Sequence, residues 1–465
     1  MRPYQSVDAQ DFAYFDALLP GRMFRGDAIS EDYTHDEMTE YGHYKPEAVL
    51  QALTAQEVSA VLSYCNRRNI AVTPRGTGTG LCGGCVATGG GVVLSTEKMK
   101  RVLEVDRQNM TATVEPGVLL MEFSKVLEGT GLFYPPDPGE KTATLGGNAM
   151  TNAGGMRAVR YGVTRDYILG MEIVLADGTV LQLGGKNVKT SSGYSLINLM
   201  VGSEGTLGYL TKLTVKLIPE PKVNLSLLIP FDDLDRCIGA VPAVLSCGCE
   251  PTAVEFMERA VITGAETYLG KQFPHADADA YLLVRLDGAS TDALQPSIGI
   301  LTDLALSLGA RDVLLADTQE RKESIWNARG AFLEAIKGGT TSMDECDVVV
   351  PRDRIAAFVK RSIEIGQHLN VRICSFGHAG DGNLHIYACR DDLLETDWQE
   401  KVHAVMEALY REARLLNGEV SGEHGIGHAK RAFLEESLGT RQIELMRGIK
   451  TVFDPNGILN PGKVI

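Results

Sequence analysis

The sequence predicts an α+β protein of more than one domain. Three observations carry this. The chain has 465 residues, more than one hydrophobic core usually supports. Its composition changes around Pro219-Glu220-Pro221. From about Val223 to Val371, strand-like runs ("NLSLLIPF", "DAYLLVRLDG") alternate with amphipathic helices ("SIGILTDLALSLGA", "RIAAFVKRSIEIGQHL"). That is the pattern of an α+β domain built on an antiparallel sheet.

The elements follow in order. Residues 46–70 read as a short strand and then an amphipathic helix, with Thr54 as N-cap and Glu57 three residues on, the spacing of a capping box. "IAVTP" reads as a strand that stops at Pro74, and "VVLST" as another. "MTATVEPGVLL" reads as strand and turn, and "LMEFSKVLEGTG" as a helix ended by Gly129 or Gly131. A proline turn, "YPPDPG", leads into a long glycine–asparagine loop. "YILGMEIVLADGTVLQL" carries two β-rich runs around Asp177-Gly178, a hairpin signal. The last 60 or so residues supply helices and the exit "FDPNGILNPGKVI".

Composition excludes several classes. A formal net charge of −15 argues against nucleic-acid or anionic-membrane surfaces, which select basic patches. No apolar run reaches membrane-spanning length, and the N-terminus lacks a secretory h-region. The expectation is a cytoplasmic protein. Nine scattered cysteines do not make a disulfide scaffold. Cys82-Gly-Gly-Cys85 has redox-motif spacing, but it sits in a glycine loop and not at a helix start.

Fifty glycines exceed the usual ~7%, and many cluster between Gly76 and Gly208. "PRGTGTGLCGGCVATGGGVVLS" contains a formal G-x-G-x-x-G at Gly78, Gly80 and Gly83. A dinucleotide site of that type needs a helix to begin inside the loop. Here more glycines and a strand follow. Successive glycine N–H groups, with the Thr77 and Thr79 hydroxyls, still suit an anion nest, and Arg75 is a candidate counter-charge. "PPDPGEKTATLGGNAMTNAGG" and "NLMVGSEGTLG" add two more such segments. Three of them, separated by strands, fit one large polar ligand.

"SFGHAGDGNLHIYAC" brackets a glycine–acid knot with His378 and His385. Seven positions on one straight strand would point these side chains to opposite faces. A shared metal therefore needs the chain to fold back, and Asp381-Gly382 supplies a turn. Two nitrogens make a weak site, and "EVSGEHGIGHAKR" offers a carboxylate in Glu423. Two imidazoles and a carboxylate suit zinc, iron or manganese. His428 reads as structural, since Gly425 and Gly427 oppose a helix from His424. On residues alone, a metal-dependent hydrolase built on these groups stays open.

These motifs together resemble the FAD-binding oxidoreductases of the vanillyl-alcohol oxidase type, in the branch that oxidises D-2-hydroxy acids. The resemblance runs from about Pro46 to Gly462. It rests on "PRGTGTGL", "PPDPG", "TLGGNAMTNAGG", "VGSEGTLG", "GHAGDGNLH", "SGEHGIG" and "FDPNGILNPGK". It implies a two-part FAD-binding domain over 1–222 with its pyrophosphate loop at 74–80. An α+β cap on an antiparallel sheet would span 223–415, and a segment returning to the FAD domain 416–465. It implies FAD contacts from Pro74, Arg75, Gly76, Thr77, Gly78, Thr79 and Gly80, and from Pro136, Asp137, Thr144, Gly146, Gly147, Asn148, Asn152 and Gly154. Gly202, Glu204, Gly205 and Asn460 complete that set. Some relatives tether FAD through a histidine in the pyrophosphate loop. None lies between His43 and His275, so non-covalent FAD is expected.

The resemblance further implies His378, His385 and Glu423 as ligands of a divalent metal, and His424 as general base. Arg329 would grip the substrate carboxylate, and Asn383 joins the catalytic set. The substrate would be a small D-2-hydroxy acid, with electrons passed to an electron-transferring flavoprotein, another redox subunit or a quinone. An oxygen-using oxidase and a non-catalytic FAD subunit are alternatives. Relatives that take dicarboxylates carry an extra basic residue before the "VP" strand end. Here "MDECDVVVPRD" places Glu345 and Asp347 there, and Leu333 adds apolar lining. This favours lactate or glycolate over 2-hydroxyglutarate.

Overall fold

The computed structural model describes residues 4–465. The chain divides into two compact units. The first takes the chain up to Gly154, then Val163–Glu220 and Glu423–Ile465; the second takes Gly155–Gly162 and Pro221–Gly422.

The first unit carries a four-stranded sheet in the order Met23–Arg25, Ala48–Gln51, Val92–Ser95, Val72–Arg75. The last three strands run parallel. The helix Ala55–Arg68 links two of them. Val58, Val61, Leu62 and Cys65 form its buried stripe, at the 3.6-residue period that buries one face. Full burial of such side chains is worth about 1.5–3 kcal/mol each for the larger ones. They join a core with Leu50, Val72, Leu94, Val174 and Tyr209. Thr54 caps this helix by accepting from Glu57 N–H, but the box is not reciprocal. Glu57 instead accepts from both terminal nitrogens of Arg22. Asn69, at φ 55°, ends the helix in the left-handed region.

A five-stranded antiparallel sheet follows in the order Val102–Asp106, Thr111–Val114, Tyr209–Lys216, Ile168–Val174, Val180–Gly184. The hairpin around Asp177-Gly178 is formed, with Gly178 at φ 92°. One expectation fails here. The glycine–asparagine stretch after the proline turn is not all loop: Leu145–Thr151 is a helix whose cap, Thr144, accepts from Gly147 N–H. Its two glycines oppose helix by propensity. Cap and packing outweigh them, since Leu145, Gly146, Asn148 and Ala149 are all buried.

The second unit is a seven-stranded antiparallel sheet in the order Leu314–Ala316, Val223–Phe231, Ala280–Gly288, Ala253–Glu258, Arg372–His378, Asn383–Cys389, Met343–Val349. The α+β fold class with an antiparallel second sheet thus stands. Strand alternation gives the sheet two faces with different tasks. Ile373 and Ser375 point to the face covered by the helix Ile355–Leu369, where Ile373 meets Gly366. Cys374, Phe376 and His378 point to the other face, against Phe332 and Arg329.

Glu258, opposite Ser375, is 8% exposed and accepts from Ser375 N–H at 2.6 Å and Ser375 Oγ–H at 2.9 Å. Burial pushes its carboxyl up to about 7, against these two bonds. An acid whose folded pKa lies above its unfolded value is stabilising below the unfolded value and loses that stability as pH rises to the folded one. The loss for Glu258 runs between about pH 4.5 and 7 and is on the order of 3 kcal/mol. Glu258→Gln keeps the acceptor and removes the charge. Thermal midpoints at pH 5 and pH 8 should show the variant equal to the parent at pH 5 and higher at pH 8. Equal midpoints at both values would remove Glu258 as the cause.

Candidate active site

In the first unit, the glycine loop leaves the C-terminal end of the Val72–Arg75 strand, where open parallel sheets bind their ligands. Arg75, the candidate counter-charge, is turned beneath the loop. Its guanidinium donates to His35 O at 2.9 Å, to Asp32 O and to Cys85 Sγ at 3.2 Å, and lies over the Tyr33 ring. It braces the loop from below. Gly78, at φ 84°, packs on that guanidinium so closely that a Cβ would overlap it. Thr77 Oγ–H donates to Thr142 O at 3.0 Å, which joins the loop to the second glycine segment. A Cβ on Gly76 would lie 2.6 Å from Thr144 Oγ1.

The second and third segments are locked to their surroundings. Asn152 Oδ1 accepts from Arg165 N–H, and Arg165 donates on to Val201 O. Glu204, at φ 51°, accepts Ile426 N–H at 2.7 Å and Gly427 N–H at 2.8 Å. Burial raises its pKa in spite of these bonds. Asn460 donates through Nδ2 to Gly84 O and Glu204 O. Glu204 and Asn460, expected at the cofactor, therefore spend these groups on holding the glycine segments to the C-terminal segment. Pro136, Asp137 and Lys141 lie on the same unit, and Asp137 pairs with Lys141.

FAD suits this scaffold on its own terms. Asn148 Nδ2, Ser203 Oγ and Asn460 Oδ1 are buried polar atoms with no protein partner. All three sit in the expected cofactor segments, where side-chain volume has been kept out. A large heterocycle with phosphates supplies partners of that kind.

The Cys82–Cys85 pair is not bridged, and each sulfur has another partner. Cys82 Sγ–H donates to Gly425 O, Cys85 takes Arg75, and neither is in a disulfide. Gly83, at φ 67°, exists to admit His428, whose ring a Cβ would strike. His428 lies between Tyr41 and Tyr44, and burial with the Lys463 charge draws its pKa down to about 4. It is a neutral packing residue. The segment bearing Glu423 and His424 belongs to this unit. Glu423 packs on Gly154, its Oε2 2.9 Å from where a Cβ would be, and His424 Nε2 is 3.6 Å from Glu423 Oε1.

In the second unit, the hairpin forms around "AGDG", with Gly382 at φ 89°. His378 pairs with Asn383 and Phe376 with His385. The fold-back therefore puts both imidazoles on one face, ring centroids 5.3 Å apart and planes at 90°. Each imidazole is held by a buried glutamate that residue patterns did not announce. His378 Nδ1 is 2.8 Å from Glu255 Oε1. His385 Nδ1 is 3.1 Å from Glu345 Oε1, which also accepts Tyr387 Oη–H at 2.8 Å. A carboxylate only accepts, so Nδ1 is the donor in each ring. Glu345 and Asp347, read from sequence as repelling a second substrate carboxylate, have a different task. Asp347 accepts Asn383 Nδ2–H at 2.7 Å and Ser421 Oγ–H at 2.7 Å. Asn383 donates its second amide proton to Val348 O, which leaves Oδ1 buried without a partner.

Arg329 is 6% exposed. Its Nε and Nη2 donate to Glu255 Oε2 at 2.8 and 2.7 Å, and its face covers the Phe376 ring at 4.5 Å. Burial opposes ionisation of Glu255, but His378 and Arg329, both bonded to it, outweigh burial and hold the carboxyl below its usual range. Glu255 has a physical signature only in three dimensions. In the sequence it is one acid in a strand of apolar residues, "AVEFME", and that is the signal that was available. Leu333, half-buried, is on the helix Phe332–Gly338 that follows Arg329.

Known proteins match this chain over its whole length. A model of the FAD binding domain matches residues 46–184, and one of the C-terminal domain of FAD linked oxidases matches residues 220–464. The D-lactate dehydrogenase of Anaerostipes hadrus is 48% identical over 466 residues, 99% of this chain and 98% of that one. The glycolate oxidase subunit GlcD of Bacillus subtilis is 38% identical, over 93% of this chain and 91% of its own. Among solved structures, p-cresol methylhydroxylase superposes with a TM-score of 0.80 at 20% identity, covering 99% of this chain and 98% of that one, a likeness of fold. The chain belongs to the FAD-linked oxidases, with a fold of the vanillyl-alcohol oxidase type.

Proposed function

We propose that this protein oxidises a small D-2-hydroxy acid, D-lactate or glycolate, to the 2-oxo acid, using FAD and a divalent metal. One observation carries the reading. Two imidazoles lie on one face of a hairpin, each with Nδ1 against a buried glutamate, so Nε2 is the atom each ring would offer a metal. Metal-bound histidines are oriented in this way by carboxylates behind them. The donor set fits zinc, iron or manganese. His378 and His385 supply two ligands, and Glu423 is the third by the family motif.

Oxidation of an α-hydroxy acid removes a hydroxyl proton and a hydride from the α-carbon. A metal bound here would lower the hydroxyl pKa as it does for water. FAD, when bound, supplies the hydride acceptor. His424 takes the hydroxyl proton as a neutral imidazole. Arg329 donates to the substrate carboxylate from the N–H groups that Glu255 does not use, and Glu255 fixes the plane of that fork. Asn383, its donors spent, offers the Oδ1 acceptor. The Phe376 ring under the guanidinium keeps this side dry. Electrons then pass to a protein or quinone acceptor. A metallohydrolase would leave the polar vacancies at Asn148 and Ser203 unexplained.

The first test is an absorbance spectrum under nitrogen. D-lactate or glycolate should bleach the flavin band, L-lactate should not, and prior chelation should abolish the bleaching. Bleaching that survives complete metal removal would sink the metal-assisted mechanism. Glu255→Gln and Glu345→Gln should each weaken metal affinity about 10–100-fold, read as metal content after dialysis against graded chelator. Gly78→Ala forces a side chain into Arg75 at a left-handed φ, a strain of about 1–3 kcal/mol. Purified protein should then carry less flavin per chain, while the metal content of the variant stays that of the parent.

A further inference from the structure

Four residues from each imidazole, the same hairpin face carries a second chemical group. Cys374 is on the Arg372–His378 strand and Cys389 on the Asn383–Cys389 strand. The register pairs Arg372 with Cys389 and Cys374 with Tyr387. The two cysteines are therefore diagonal neighbours on one face. The stacked Phe376 and Tyr387 rings, 5.5 Å apart, separate this pair from the histidines.

The surroundings of the two sulfurs differ. Arg372 Nη1 donates to Cys374 Sγ at 3.0 Å, and its other nitrogens grip Asp391 at 2.6 and 2.7 Å. Cys374 also lines a cavity of about 570 Å³, with Val261, Gly264, Ile336, Gly339 and Arg372. The cavity reaches solvent at the Arg372–Asp391 pair, whose side chains are 41% and 34% exposed. Cys389 does not line it. The neighbouring Cys389 thiol lowers the Cys374 thiol pKa and Arg372 adds to this, against burial. Burial raises the thiols of Cys65, Cys85, Cys237 and Cys249, and the neighbouring Cys374 thiol together with burial raises that of Cys389. A cation beside a sulfur that faces a solvent-connected cavity is the environment of a reactive cysteine.

We propose that Cys374 and Cys389 form a peroxide-reactive dithiol, in which Cys374 attacks a hydroperoxide entering the cavity and Cys389 resolves the product to a disulfide. The Cys374 thiolate attacks one peroxide oxygen, the O–O bond breaks, and the other oxygen leaves as an alcohol, or as water from hydrogen peroxide. Cys374 is then a sulfenic acid. The Cys389 sulfur displaces its hydroxyl, the S–O bond breaks, and water leaves with the Cys389 proton. Two thiols lose two electrons in all and the peroxide gains them. Closure brings two diagonal neighbours of one hairpin together and asks for movement within that hairpin.

Both cysteines fall in one tryptic peptide, 373–390, which makes the test direct. The reduced full-length protein is treated with about one equivalent of hydrogen peroxide, unfolded, alkylated and digested. The expected product is that peptide lighter by two hydrogens, unalkylated and restored by a reductant, with the other seven cysteines alkylated. In untreated native protein, Cys374, 2% exposed but facing the cavity beside Arg372, should alkylate at least ~10-fold faster than the fully buried Cys237. Cys389→Ser should stop the reaction at a sulfenic acid on Cys374 that dimedone traps. A peptide that keeps both alkylated thiols after peroxide would overturn the proposal, as would a dimedone adduct on Cys389 of the parent. The parent measurement stands even if the variant fails to fold.

Discussion

One buried carboxylate, Glu255, sets the geometry of the second unit's polar face. It has no exposure, and it accepts from the Arg329 fork and from His378 Nδ1 together. The guanidinium and the imidazole share one carboxylate, so the three groups hold one another in place. Taking either partner away would leave a charge buried without compensation, a loss of about 3–5 kcal/mol. The orientation of His378 and of Arg329 is therefore a single constraint. A change at one is felt at the other although 49 residues separate them along the chain.

The first unit solves a different problem. Its glycine segments give up side-chain volume, and a chain so depleted needs outside ties to keep one shape. Glu204 and Asn460 supply them, by backbone-directed bonds to the C-terminal segment and the loop at Gly84. Arg75 does the same from beneath, and Asp36 holds Gly83 N–H at 2.5 Å with its carboxyl pushed by burial to about 6. The residues that seem polar enough to touch a cofactor are in part the ones that keep the cradle open. What is left for the cofactor is the set of buried atoms without partners.

This explains what could be read before any coordinates. The sheet of the second unit was legible because its strands are long and apolar and its turns carry Asp-Gly and Gly-rich signals. The histidine fold-back was legible because seven residues with "GDG" inside admit few other geometries. The helix Leu145–Thr151 was not, since two glycines in seven residues oppose it and only its cap and burial reveal it. Glu255 and Glu345 were not, since an acid inside a strand has no local signature. Their meaning lies in the cross-strand register, which pairs residues 123 and 40 positions apart. The direction of Arg75 was open for the same reason: sequence tells which cation is near a loop, and not which side of it the guanidinium takes.

The buried polar cluster is best weighed against what it costs. Burying ionised groups seldom stabilises a fold, and apolar side chains of similar volume usually do as well or better. Here a strand face that could have been a core holds Glu255, Glu345, Asp347, Arg329, His378, His385 and Asn383, all under 9% exposed. Stability alone does not account for them. Orientation does: every Nδ1 is committed, Asn383 has its donors fixed by Asp347 and Val348, and the guanidinium is locked in plane by one edge. Such a face has its lone pairs and its cation aimed before any substrate arrives. That is the preorganisation that hydroxy-acid oxidation requires, because a proton and a hydride must leave neighbouring atoms of one small molecule in a fixed order of contact.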